Sequence, residues 1–194
     1  MTSMNTSAPK RLPPKRMPPE RLPIVGVMGS GAHEHNDKAA PLGRWLAEAG
    51  CHLLTGGGRG VMTAVSRAFC SVPSRMGRVL GVLPGAAEGN PVQPPAGYPN
   101  PWVEIPIVTH LPLSGTQGDS PMSRNHINIL SSDVIIALPG GAGTSSEVGL
   151  ALNYGRPVAA YVDHRTDIPD LPSEIVTTAR LEEITAFIQA QLAR

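Results

Sequence analysis

Four short apolar segments each end at a turn that contains glycine, and a helix-like segment follows three of these turns. The apolar segments are residues 24–28, 52–55, 78–83 and 133–138. The last one contains the unbroken run Val-Ile-Ile-Ala-Leu, which is typical of a parallel strand buried on both faces. The chain has 194 residues, the size of one domain. The alternation therefore predicts an α/β fold: a single doubly wound, Rossmann-like domain with a central parallel sheet and helices on both faces.

Further segments complete this prediction. Apolar residues in three more places, 104–108, 157–162 and 175–178, bring the predicted sheet to about seven strands. Helical periodicity predicts helices over residues 38–49, 60–71, 122–130, 145–154 and 181–192. Pro41 is compatible with the first of these helices only if it lies in the first turn.

The N-terminal segment differs in composition from the rest of the chain. Residues 1–23 contain six prolines, five basic residues and one acidic residue, without apolar periodicity. Such a segment buries too little apolar surface to offset its ordering entropy, so we predict a disordered basic tail. The folded phosphate- or nucleotide-binding domain is placed at residues 24–194.

Charge and hydropathy argue against several classes of partner. The chain has 16 Lys and Arg residues against 15 Asp and Glu residues, a net charge of +1, so we expect it to bind neither nucleic acid nor an anionic membrane surface. No apolar run approaches the roughly 20 residues of a membrane-spanning helix. Its two cysteines do not make a disulfide framework, and we therefore expect a cytoplasmic protein.

Glycine-rich loops follow three of the predicted strands. In a doubly wound sheet, ligands bind outside the carboxyl ends of the strands, where the crossover helices begin. Backbone N–H groups at helix N-termini favour an anion such as phosphate. The predicted phosphate- or nucleotide-binding residues in these loops are Gly29, Ser30, Gly57, Gly58, Gly60, Gly140, Gly141, Gly143 and Thr144. The alternative is that these glycines only form tight turns between strand and helix.

The first two loops argue against a dinucleotide ligand. Residues 29–34 read Gly-Ser-Gly-Ala-His-Glu and lack the third glycine of the dinucleotide fingerprint. The second strand ends in Leu-Thr-Gly, with no acidic residue to hold a ribose diol. A mononucleotide or another phosphate monoester therefore fits better than NAD.

Two charged residues are predicted near the starts of successive helices, on the ligand side of the sheet. The guanidinium group of Arg124 can form a bidentate contact with phosphate or hold Glu147. The carboxylate of Glu147 can stabilise the positive charge that develops as an N-glycosidic bond breaks. A structural alternative exists for Glu147, because residues 144–147 also match a capping box with Thr144 as the N-cap residue.

A metal site is not predicted. The segment His33-Glu34-His35 carries potential ligands, but no third ligand has a fixed spacing from them. A solvated loop or a contact at the edge of the ligand is therefore favoured for this segment.

The segment 85–121 is rich in proline. It contains eight prolines and, apart from the predicted strand at 104–108, few apolar runs. A connection of this length is often a lid or a wall of a substrate site.

Two motifs resemble those of a known family. Residues 139–147 read Pro-Gly-Gly-Ala-Gly-Thr-Ser-Ser-Glu and match the pattern PGGxGTxxE. Residues 56–62 read Gly-Gly-Gly-Arg-Gly-Val-Met and resemble the partner pattern GGGxxGxM with one residue fewer. Both patterns occur in the LONELY GUY (LOG) proteins, formerly mislabelled lysine decarboxylases, and in the related molybdenum cofactor carriers. The resemblance covers about residues 24–162.

This resemblance implies roles for individual residues. LOG enzymes cleave cytokinin riboside 5′-monophosphates, and often AMP, into free base and ribose 5-phosphate. Their glutamate corresponds to Glu147, and their catalytic arginine to Arg124. The family's phosphate-binding loop corresponds to Gly140, Gly141, Gly143 and Thr144, and the residues that flank the arginine, Met122 and Asn125, join the predicted binding site. The family also implies a homodimer or a higher homo-oligomer.

The sequence leaves two functions open. LOG enzymes usually read Met-His-Glu-Arg-Lys around the arginine, whereas residues 122–125 read Met-Ser-Arg-Asn, and Ser146 stands where they carry a second acid. The segment Ser123-Arg124-Asn125 resembles the carrier branch. The leading hypothesis is a nucleoside 5′-monophosphate phosphoribohydrolase that requires no cofactor, with Arg124 and Glu147 as catalytic residues. The alternative is a non-catalytic carrier or sensor of molybdenum cofactor or a nucleotide. In both cases the expected partner is a small phosphorylated ligand, either a nucleoside monophosphate or a pterin.

Overall fold

The apolar segments form one parallel sheet of seven strands, as predicted. The computed structural model describes residues 21–86, 88–90 and 92–193, so the predicted tail at 1–23 lies almost wholly outside the described residues. The strands are β1 (Ile24–Met28), β2 (His52–Thr55), β3 (Val79–Leu83), β4 (Ile105–Val108), β5 (Val134–Ala137), β6 (Val158–Tyr161) and β7 (Val176–Thr178). Their order across the sheet is β4-β3-β2-β1-β5-β6-β7.

The strand order reverses at β1. From β1 the chain moves outward in one direction through β2, β3 and β4, and it then returns to the other side of β1 to form β5, β6 and β7. In the register of the sheet, Val25 of β1 pairs with Leu53 on one side and with Val134 on the other. The connections leaving β1 and β5 therefore diverge and open a crevice at the carboxyl ends of these two strands, where doubly wound sheets bind ligands.

Helices cover both faces of the sheet. They are α1 (Asn36–Glu48), α2 (Val61–Cys70), α3 (Asn125–Ser131), α4 (Ala142–Asn153) and α5 (Leu181–Leu192). Successive residues of β5 alternate between two cores: Val134 and Ile136 pack with α1, α2 and α5, whereas Ile135 and Ala137 pack with α3 and α4. Because every residue of β5 is buried, an unbroken apolar strand is the pattern that this position requires.

Helix boundaries differ from the sequence prediction at three N-termini. Helix α1 begins at Asn36 rather than at residue 38, so Pro41 lies in the second turn rather than in the first. The proline removes one backbone donor there, and the helix continues through it. Helix α3 begins at Asn125, later than predicted, and leaves Arg124 as its N-cap residue. Helix α4 begins at Ala142, earlier than predicted, because Gly141 adopts the extended N-cap conformation.

The long segment between β3 and α3 is mostly irregular where it is described. It contains the edge strand β4 and a single 3₁₀ turn at Gly115–Gln117. The buried Thr109 hydroxyl donates a hydrogen bond of 2.8 Å to the carbonyl of Leu83, which holds the segment at the carboxyl end of β3. In the described part of the chain, no helix has both the length and the apolar character needed to cross a membrane.

Candidate functional site

A cavity of about 310 Å³ lies in the crevice between the carboxyl ends of β1 and β5. Its walls come from the end of β1, from the loops that follow β1, β2 and β5, from the N-terminal turns of α2, α3 and α4, and from the long proline-rich segment. The lining residues are Val27, Met28, Gly29, Ser30, Gly31, Ala32, Gly56, Met62, Tyr98, Ser114, Gly115, Arg124, Asn125, Gly141, Gly143, Thr144 and Glu147.

Eight of the residues named from the sequence line this one cavity. They are Gly29, Ser30, Arg124, Asn125, Gly141, Gly143, Thr144 and Glu147. The other nine were not among the predicted site residues, although four of them lie in the glycine-rich loops and motifs described from the sequence: Gly31, Ala32, Gly56 and Met62. The proline-rich segment was expected as a possible wall, and it supplies Tyr98, Ser114 and Gly115. No periodicity marks these three positions, because their places depend on irregular backbone packed against distant loops.

Five of the named residues do not line the cavity: Gly57, Gly58, Gly60, Gly140 and Met122. Three of them also use their N–H groups within the protein. Gly57 donates to Oγ1 of Thr55 at 3.0 Å, and Gly58 to Sδ of Met62 at 3.4 Å. Gly140 donates to the carbonyl of Asp167 at 3.0 Å. In the second loop, the N–H groups of Gly57 and Gly58 are therefore engaged within the protein, whereas Gly56 lines the cavity.

The guanidinium group of Arg124 is the most unusual group in the cavity. The residue is only 5 % exposed, and its Nε and Nη1 atoms are buried without a hydrogen-bond acceptor among the described residues. Within that part of the chain no acidic residue forms a salt bridge with it. A buried charge normally has a partner, because its desolvation is otherwise uncompensated. Arg124 therefore brings to the cavity a positive charge that is not neutralised by a salt bridge within the described residues, and such a charge suits an anion.

Gly56 provides the space that this guanidinium group occupies. A Cβ atom on Gly56 would overlap the Nη1 and Nη2 atoms of Arg124. The first glycine of the second loop is therefore required by the close approach of a side chain rather than by contact with a phosphate.

We expect the Gly56→Ala variant to bind phosphate-containing ligands at least about 10-fold more weakly. The added methyl group displaces the guanidinium group, and the loss of one charge-assisted hydrogen bond has about this effect on affinity. Isothermal titration calorimetry with AMP and ribose 5-phosphate measures the change. The matched control is Gly149→Ala in α4, where a Cβ atom meets nothing within 4 Å. This control should retain its affinity and gain about 0.5–1 kcal/mol of stability from helix propensity. Equal affinities in the wild type and Gly56→Ala would contradict the assignment.

The N-terminus of α4 faces the same cavity. The N–H groups of its first turn, at Ala142, Gly143 and Thr144, have no acceptor within the helix, and Gly143 and Thr144 line the cavity. The helix dipole adds a partial positive charge at this end. Arg124 and the first turn of α4 together form an anion-binding corner of the kind that phosphate groups occupy.

Glu147 lies in the second turn of α4 and not in a capping box. The N-cap residue is Gly141, and no side chain caps the helix, so the alternative with Thr144 as the N-cap residue is wrong. Glu147 is 8 % exposed, and Nδ2 of Asn128 donates to its Oε1 at 3.4 Å. Burial raises the pKa of Glu147 to about 7, although the positive charge of Arg124 and the Asn128 hydrogen bond both act to lower it.

The segment His33-Glu34-His35 lies beside the cavity and is tied to α2. The carboxylate of Glu34 accepts a hydrogen bond of 2.7 Å from Arg67, and the rings of His33 and His35 lie 6.1 Å apart. Among the residues that the structure describes, no three His, Cys, Asp or Glu side chains lie close enough to hold a metal ion.

Comparison with known proteins gives consistent matches. The sequence matches the SLOG cluster4 family over residues 22–191. It is 32% identical over 138 residues to an uncharacterized protein of Archaeoglobus fulgidus, covering 70% of this chain and 78% of that one. The structure is similar to the molybdenum cofactor binding protein of the phototrophic bacterium Rippkaea orientalis, with a TM-score of 0.68, 32% identity and coverage of 89% and 98% of the two chains. It is also similar to the Moco carrier protein of Chlamydomonas reinhardtii, with a TM-score of 0.66, 31% identity and coverage of 89% and 99%.

Proposed function

The chain belongs to the SLOG cluster4 family, and from this membership and the geometry of the site we propose that it binds a phosphorylated pterin-type cofactor without turning it over. The observation that carries this proposal is the buried guanidinium group of Arg124, a residue that lines the cavity and whose Nε and Nη1 atoms have no hydrogen-bond acceptor among the described residues. A phosphate group supplies the negative charge and the acceptors that this group lacks.

The ligand class comes from two structural relatives, both more than 30% identical to this chain. One is described as a molybdenum cofactor binding protein and the other as a Moco carrier protein. We propose that molybdenum cofactor, a pterin that carries a phosphate, is the cargo of this chain as well. The residues present fit such a cargo, because Arg124 and the first turn of α4 suit the phosphate, while Met62 and Tyr98 add apolar side chains to the lining of the same cavity.

Glu147 supports carriage more than hydrolysis. A carboxyl group with a pKa of about 7 is about half protonated at neutral pH, and in that form it does not repel a phosphate. The uncharged form also cannot stabilise the cationic transition state of glycosidic cleavage, which needs a carboxylate. The protonated form of Glu147 therefore favours holding an anion, whereas the carboxylate that hydrolysis needs predominates only above about pH 7.

A second candidate function is the nucleoside 5′-monophosphate phosphoribohydrolase activity implied by the LOG resemblance. The placement of Glu147 and Arg124 at one cavity favours it. Water would attack the anomeric carbon while the bond to the base breaks and the base leaves with a proton. The Glu147 carboxylate would stabilise the developing charge. This function predicts an activity that rises as the pH increases through about 7, where Glu147 ionises.

One set of measurements distinguishes the two candidates. The purified protein is titrated calorimetrically with AMP, ribose 5-phosphate and neopterin phosphate, and it is incubated with molybdenum cofactor released from a molybdoenzyme, after which retained molybdenum is measured. The same AMP mixture is assayed at pH 8 for adenine and ribose 5-phosphate. We expect saturable binding of the pterin and retention of molybdenum, with no adenine. Release of adenine would replace carriage with hydrolysis, and absence of any binding would refute both functions.

A further inference from the structure

The second glycine loop holds a segment of the proline-rich connection against the cavity. The side chain of Asn100 is buried, and its Nδ2 atom donates a hydrogen bond of 2.9 Å to the carbonyl of Gly58. The backbone N–H group of Asn100 donates to the carbonyl of Gly57 at 2.8 Å. Two carbonyl groups of the loop thus fix the chain two residues after Tyr98.

This attachment gives the glycines of the second loop a function different from phosphate binding. A Cβ atom on Gly58 would lie 2.8 Å from Cε1 of Tyr98 and 2.9 Å from Cε of Met62. The absence of a side chain at Gly58 therefore lets the ring of Tyr98 and the methyl group of Met62 pack against the loop backbone. Both side chains line the cavity, and they form an apolar wall there.

The aromatic ring of Tyr98 lies next to the anion-binding corner. Its centroid is 6.0 Å from the guanidinium carbon of Arg124, and the residue is half-buried. The cavity is therefore divided into a charged part, formed by Arg124 and the first turn of α4, and an apolar part, formed by Tyr98 and Met62. A ligand that fills both parts has a phosphate joined to a flat apolar surface.

We propose that Tyr98 is a specificity-determining residue that stacks on the planar heterocycle of the phosphorylated ligand. This inference rests on the proposed function, because it requires that the phosphate binds at Arg124. Aromatic side chains stack on heterocycles with little dependence on their edge groups. The hydrogen bonds of Asn100 hold the segment that carries Tyr98 in place. Less conformational entropy is therefore lost when a ligand stacks on the ring.

The test compares phosphorylated ligands that carry a planar heterocycle with one that carries none. Affinities for neopterin phosphate, AMP and ribose 5-phosphate are measured by calorimetry for the wild type, Tyr98→Ala and Tyr98→Phe. In the wild type, at least one of the two ligands that carry a planar heterocycle, neopterin phosphate and AMP, should bind more tightly than ribose 5-phosphate, which carries none. Tyr98→Ala should weaken that ligand by about 10-fold or more, as expected for loss of one stacked ring. It should leave ribose 5-phosphate unchanged, and Tyr98→Phe should behave like the wild type.

The outcomes separate the two levels of the proposal. The stacking role is refuted if Tyr98→Ala leaves the affinities for neopterin phosphate and AMP unchanged, or if it lowers the affinity for ribose 5-phosphate by the same factor. Phosphate binding at the site would still stand. If the wild type binds ligands with and without a planar heterocycle equally tightly, the stacking role is refuted in the same way. If the wild type binds none of the three compounds, the proposed function itself fails. Circular dichroism melting curves of all three proteins establish that each one is folded.

Discussion

The Arg124→Leu variant is expected to unfold at a higher temperature than the wild type and to bind phosphorylated ligands about 100-fold more weakly. The loss of affinity follows from removing charge-assisted hydrogen bonds worth roughly 1.5–3 kcal/mol each. The gain in stability follows from removing a guanidinium group that is buried without a partner in the described structure. Replacing buried ionic groups by apolar side chains is often stabilising by about 1–4 kcal/mol.

The opposite signs of these two changes make the prediction specific. Replacing a residue with a purely structural role would destabilise the protein. Replacing a residue that is kept for binding weakens ligand binding and stabilises the protein. Thermal denaturation gives the first quantity, and calorimetry with neopterin phosphate and ribose 5-phosphate gives the second. A destabilised variant with unchanged affinity would show that Arg124 serves the fold instead of the ligand.

Arg180→Leu is the matched control for this experiment. Arg180 has an exposed side chain and lies 3.2 Å from Glu183 in an ion pair on the first turn of α5. Exposed pairs of this kind contribute about 0–1 kcal/mol. The control should therefore change both the unfolding temperature and the affinity very little. Any general effect of removing an arginine would appear in it.

The Glu147→Gln variant is expected to become more stable than the wild type as the pH rises. Burial raises the pKa of Glu147 from 4.5 to about 7, so the folded protein binds this proton more tightly than the unfolded chain. The stabilisation that comes from this bound proton is fully present below about pH 4.5 and is lost as the pH rises to about 7. A shift of this size corresponds to about 3 kcal/mol.

Urea denaturation at pH 4.5, 6 and 8 measures this difference. The free energies of unfolding of the wild type and Glu147→Gln should be similar at pH 4.5, and the variant should exceed the wild type by about 3 kcal/mol at pH 8. Comparing two proteins at each pH removes the contribution of other carboxyl groups, including Glu34 and Glu104, whose pKa values are lowered.

Glu183→Gln serves as the control for a change at an exposed carboxylate, because Glu183 lies on the surface of α5. Its difference from the wild type should be small at every pH. If the Glu147→Gln difference is also independent of pH, Glu147 is ionised in the folded protein. The argument that this residue favours carriage over hydrolysis would then fail.

The two predictions concern two ionisable side chains that are buried in the same cavity, Arg124 and Glu147. Arg124, which has no salt-bridge partner in the described part of the chain, and the buried carboxyl group of Glu147 both reduce the stability of the protein near neutral pH. Binding of a phosphate monoester satisfies the arginine and stabilises the folded state by linkage. The empty site is therefore expected to be the least stable form.

The sequence predicts the fold because its signals are local. Apolar runs of strand length, helical periodicity and glycine turns each occupy one short segment, and their alternation is sufficient for a doubly wound parallel sheet. The same logic places the loops after β1, β2 and β5 at one edge of the sheet. Arg124 and Glu147 are therefore predictable as neighbours of one crevice, and the structure brings both to its wall.

The structure adds what the sequence does not show where hydrogen bonding decides the outcome. The α4 N-cap residue is Gly141 rather than Thr144, because the backbone conformation of the glycine starts the helix earlier than the side-chain motif suggests. The N–H groups of Gly57 and Gly140 are used by Thr55 and Asp167. A glycine-rich motif by itself does not tell which of its donors stay free.

The sequence by itself determined the class of fold, the edge of the sheet that carries the site, and two of its charged residues, because each depends on patterns within a few residues. Only the tertiary structure decided that Arg124 is buried without a hydrogen-bond acceptor for Nε and Nη1 among the described residues, that burial raises the pKa of Glu147, and that Tyr98 joins the wall. These properties depend on desolvation and on contacts between segments far apart in the chain, such as Asn100 with Gly58, and no local pattern encodes them.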